Sequence, residues 1–97
     1  MNAVEKVYVK IDENKNKLNS IKADIDCDLV VLKQILKKTT SATITDSIAR
    51  DIRFYSDRIM DKVHQKELIE EERRNLILFR LWTLKEMEAK DDEESDV

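Results

Sequence analysis

The chain is 97 residues long, 40% charged and 41% apolar, with 18 basic residues against 21 acidic ones, a formal net charge of −3, and neither Gly nor Pro. Average usage would supply about seven Gly and five Pro at this length, and the tight hairpins, phosphate loops and nucleophile elbows of β and α/β enzymes depend on them. An all-α protein of long helices is therefore expected, as a single domain.

The first predicted helix opens at Asn2, with Glu5 three positions on and able to reach back to the free amides. From Val4 the apolar residues follow a seven-residue repeat. Val4, Ile11, Leu18, Ile25 and Leu32 take position a, and Val7, Ile21 and Ile35 take position d. The two remaining d positions hold Asn14 and Asp28. Polar residues in such a seam lower stability while selecting register or partner number, so both are candidate register and specificity residues. Leu29 beside Asp28 offers an apolar replacement, whereas Asn14 has only Lys15 beside it and is the better candidate. Tyr8, Val9, Val30, Val31 and Leu36 lie off the strict seam and make it wider than two helices require.

Lys37 and Lys38 suit a helix C-terminus. The run TTSATIT at 39–45 then places five hydroxyl side chains in seven residues, and such side chains compete for backbone hydrogen bonds and favour turns and caps. Thr43 or Thr45 is expected to cap the second helix, with Asp46 and Asp51 near its positive end. Helices are thus predicted at about 2–38 and 44–89. In the second, Ile44, Ile48, Ile52, Tyr55, Ile59 and Val63 form one stripe. From His64 to Asn75 only Leu68 and Ile69 are apolar, and EEERR at 70–74 reads as solvated; a kink near His64, giving three helices, is the alternative to one continuous helix. Then comes LILFRLWTL at 76–84, apolar at seven of nine positions and on every face, extended by Met87. Five acids among residues 90–97 predict an acidic disordered tail at 91–97, whose last three residues, Ser95-Asp96-Val97, have the form of a ligand for carboxylate-capturing peptide domains.

Folding the second helix back pairs residues whose numbers total about 83, an antiparallel hairpin in which Ile35 meets Ile48, Ile21 meets Val63, and Asn14 lies across from Ile69. Val7 and Tyr8 then face Leu76 and Phe79 at the open end, while Trp82, Leu84 and Met87 overhang without intrachain cover. Those seven residues are the expected protein interface, and pairing of two hairpins into a four-helix bundle is the expected use of so wide an apolar arc.

Catalytic, cofactor and metal sites are not expected. His64 is the only histidine, which excludes a His-based cluster. Cys27 sits among Asp24, Asp26 and Asp28, poor surroundings for a nucleophilic thiolate, and those acids alternate around a helix rather than sharing a side. Lysines interleave with acids, so no basic patch addresses a nucleic acid. A lone cysteine, no apolar run near 18 residues and no secretory apolar region after Met1 predict an intracellular protein, cytoplasmic or nuclear, without a membrane span. The expected function is that of a coiled-coil subunit, a scaffold whose partners are helices in a homodimer or hetero-oligomer. The alternative is a small regulatory or chaperone-type adaptor, host-, phage- or virus-encoded, that masks an apolar helix of a client protein.

Overall fold

The computed structural model describes residues 2–95, with side chains through residue 89. Two helices form an antiparallel hairpin: α1, Ala3–Lys38, and α2, Asp46–Ser95. They contain 36 and 50 residues, roughly 54 and 75 Å at 1.5 Å per residue. The rod they make is only 19 × 16 Å in cross-section, one helix pair thick.

Local chemistry explains each boundary. At the start of α1 the capping box forms, with the Glu5 amide donating to Asn2 Oδ1 at 2.9 Å and the Asn2 amide donating to Glu5 Oε2 at 3.4 Å. At its end Lys37 and Lys38 occupy the last turn, and Thr39 donates from its amide to the Leu36 carbonyl and from Oγ1 to the Ile35 carbonyl. The connection closes on hydroxyls. The Thr40 amide donates to Thr43 Oγ1 at 2.8 Å, the Ile44 amide donates to the Thr40 carbonyl at 2.9 Å, and Thr45 Oγ1 accepts from the Ile48 amide at 3.2 Å to cap α2. No described residue has a positive φ, which is why the turn needs no glycine.

The helix passes His64 without interruption, as the expectation of one continuous helix had it, and the hairpin has two helices. It also continues to Ser95, past residue 89 and into the segment assigned to a disordered tail. Glu, Met, Ala and Lys at 86–90 are strong helix formers, and no Gly or Pro follows to stop the helix. Asp96 and Val97, and with them most of the Ser95-Asp96-Val97 motif, lie outside the described residues.

The core is small and central. Leu18, Ile21 and Ile25 form the buried cluster, with Leu29, Val63 and Ile69 packed on it, and Val7 is buried separately toward the open end. The turn-proximal aliphatics Leu32, Ile35, Ile48 and Ile52 are only half-buried. Lysine stems account for part of this difference: Lys62 and Lys66 lie half-buried against the middle of the hairpin, extending apolar cover over the seam while their ammonium groups reach acids.

Candidate functional site

At the open end α2 continues past the first turn of α1, and its side chains there divide between two faces. On the face toward α1, Val7 is buried and Leu76, Ile77 and Arg80 are half-buried. Tyr8 lies under the Arg80 guanidinium, whose Cζ stands 5.6 Å from the ring centroid. This cation–π contact contributes about 0.5–1 kcal/mol at an exposed site and leaves Arg80 Nε buried without a hydrogen-bond partner. Beside them a groove of about 610 Å³ is floored by Val7, Leu76 and Phe79 and rimmed by Lys10, Glu71 and Glu72.

The face turned away from α1 is the more apolar of the two in solvent. Leu78 is 64% exposed and Trp82 58%, with Leu81 and Met87 also exposed. Leu78, Leu81, Trp82, Leu84, Lys85 and Glu88 line a second groove of about 570 Å³. Phe79 and Trp82 are stacked at a tilt of 35° with centroids 5.8 Å apart, so the two rings are held as one platform before any partner arrives. Thr83 Oγ1 donates to the Phe79 carbonyl at 2.8 Å on the flank of this platform.

The seven expected interface residues are therefore not equivalent. Tyr8, Phe79, Trp82 and Met87 are exposed, Leu76 and Leu84 are half-buried, and Val7 is committed to the hairpin itself. Leu78 and Leu81 belong with the exposed group although the sequence reading did not single them out. Both stand on the side of α2 away from Leu76 and Arg80, a side that only the packed hairpin identifies as free.

The two polar seam residues are buried. Asn14, 2% exposed, donates from Nδ2 to the Ile69 carbonyl at 3.0 Å while its Oδ1 has no partner. Asp28, 6% exposed, accepts through Oδ2 from Lys62 Nζ at 2.7 Å and from Arg58 Nε at 3.3 Å. The Lys62 hydrogen bond foremost, with Arg58 assisting, holds the Asp28 carboxyl below its ordinary value of 3.8 against the opposing effect of desolvation. Arg58 also lies 5.6 Å from the Phe54 ring centroid. Lys62 and Arg58 were not anticipated as partners of Asp28, because the expected pairing placed Tyr55 opposite it.

Among the described residues no group of three or more His, Cys, Asp or Glu is arranged to hold a metal ion, and no helix is long and apolar enough to cross a membrane. Cys27 is exposed and free. What the open end offers chemically is apolar surface, two preset rings and a charged rim. No family model matches the chain, and neither does any curated protein or solved structure.

Proposed function

We propose that the protein is a non-enzymatic coiled-coil subunit of an oligomeric complex and binds partner helices through the open end of its hairpin. The distribution of apolar surface supports this reading. Among the described residues four apolar side chains are buried while thirteen large ones are exposed, and Leu78, Phe79, Leu81, Trp82 and Met87 crowd into ten consecutive positions. A compact monomer of 11.5 kDa would expose about 5,800 Å²; this chain exposes 7788 Å². Burying one such side chain fully contributes about 1.5–3 kcal/mol, so a second pair of helices completing a four-helix bundle would relieve a large cost. An intracellular setting, cytoplasmic or nuclear, belongs to the same reading.

The test is a double substitution. Aromatic anchors commonly carry about 2 kcal/mol or more each in an interface, so Trp82→Ala with Phe79→Ala should dissociate the assembly in light scattering while circular dichroism keeps the helical signal. An oligomeric mass unchanged at micromolar concentration would place the interface elsewhere, along the α1 heptads. The groove between Val7, Leu76 and Phe79 favours a second reading, an adaptor that masks one apolar helix of a client. The two readings part on the isolated protein: a stable oligomer supports the first, a soluble monomer the second.

A further inference from the structure

The outward face of α2 at the open end has a polarity along its length. Arg74, Leu78, Leu81, Lys85 and Glu88 follow one another at spacings of four, three, four and three, all exposed, with Trp82 alongside. The last four of these five and Trp82 line a single groove, and Arg74 stands one helical turn before Leu78 on the same side. The stripe is thus basic at its start, apolar in the middle and acidic at its end.

Such a stripe is complementary to itself when reversed. With a two-fold axis near Leu81, each Leu81 meets its counterpart, Leu78 meets Leu84 of a second copy, and Arg74 meets Glu88 of that copy, twice over. Lys85 then runs beside the turn at Ile77 and Leu78, where its stem covers apolar surface while its charge stays in water. In parallel alignment Arg74 would face Arg74 and Glu88 would face Glu88, repulsions that both oppose association. We infer that the open end is occupied by a second copy of this chain, docked antiparallel through the outward face of α2, with Arg74 of each copy paired to Glu88 of the other. This rests on the reading of the open end as the binding site, and it joins the two copies end to end through α2 instead of as a four-helix bundle.

Charge exchange on the full chain tests it, read by light scattering across a dilution series. Arg74→Glu and Glu88→Arg should each weaken the dimer by about tenfold or more, since two symmetric attractions become two repulsions. Combined in one chain, R74E and E88R should restore the dissociation constant to within about threefold of the original. If the single variants dimerise normally, or if the double variant is weaker than either, the antiparallel pairing is overturned; the open-end reading then still stands provided that W82A/F79A dissociates the oligomer. A wild-type chain that stays monomeric throughout the series overturns the second copy as occupant and leaves the open end to helices of a different protein.

Discussion

Among the described residues Asn14 is the most deeply buried large side chain, and it is only half satisfied, with the amide bonded and Oδ1 bare. A buried acceptor without a partner costs about 1–3 kcal/mol, more than the 0.5–1.5 kcal/mol an ordinary hydrogen bond returns. Asn14→Leu should therefore stabilise the hairpin by about 1 kcal/mol, raising the thermal midpoint by roughly 4–8 °C for a domain of this size. A melt that fails to rise would mean that the site resists the leucine shape. Stability is not the whole consequence, because a heptad seam without its polar position admits slipped registers and other partner numbers, and a changed oligomeric mass in N14L would identify Asn14 as the register residue. Asp28 behaves differently, since both of its partners are cations. Its folded pKa lies below 3.8, so the stability it adds is fully present above that value and is lost as pH falls through the folded one. Melts of the wild type should accordingly weaken on acidification below about pH 4, whereas Asp28→Asn should be less stable at pH 7 and converge with the wild type in acid. Parallel melting curves for the two proteins at every pH would show that the ion pairs contribute nothing.

The helix ends were legible because their chemistry is local. Asn2 and Glu5 sit three residues apart, and Thr45 stands three before the Ile48 amide that it receives. Thr45→Ala should cost about 1 kcal/mol, within the 0.5–2 kcal/mol of a lost cap, seen as a lower urea midpoint with an unchanged slope. Thr43→Ala should cost less, because Thr43 bonds only to Thr40 within the turn. Pairing across the hairpin was legible where short side chains meet, as in Asn14 opposite Ile69. It failed where long ones reach: the guanidinium of Arg58 and the ammonium of Lys62 both come to Asp28 from positions C-terminal to Tyr55, the residue expected to face it. Leu78 and Leu81 were missed for another reason. A block that is apolar all round has no stripe, so which of its faces is free becomes known only once α1 is laid against the other.

The whole rod owes its shape to a shortage of core. Among the described residues, four buried apolar side chains hold two helices in register but leave much of both unshared, and the composition that signalled slender helices, 40% charged with five aromatic residues in all, signalled that shortage too. It did not reveal where the surplus apolar surface would collect, which depends on α2 outrunning α1. The glycine-free turn at 39–45 has a further consequence, for the order in which the hairpin closes. The contacts between the helices all span this one short connection. Bringing Val7 to Leu76 directly would close a loop of about 70 residues, costing about 2 kcal/mol more in chain entropy than a closure of ten by logarithmic scaling. Zippering outward from the turn replaces that single long closure with a series of short ones, since each pair formed leaves the next already nearby. On that route Ile35 and Ile48 meet early, the Asn14–Ile69 bond forms two-thirds of the way along, and Tyr8 reaches Arg80 last. The composite groove of Val7, Leu76 and Phe79 does not exist until then, so a client helix seated there would wait on the completion of folding, whereas the outward stripe of α2 requires only that helix.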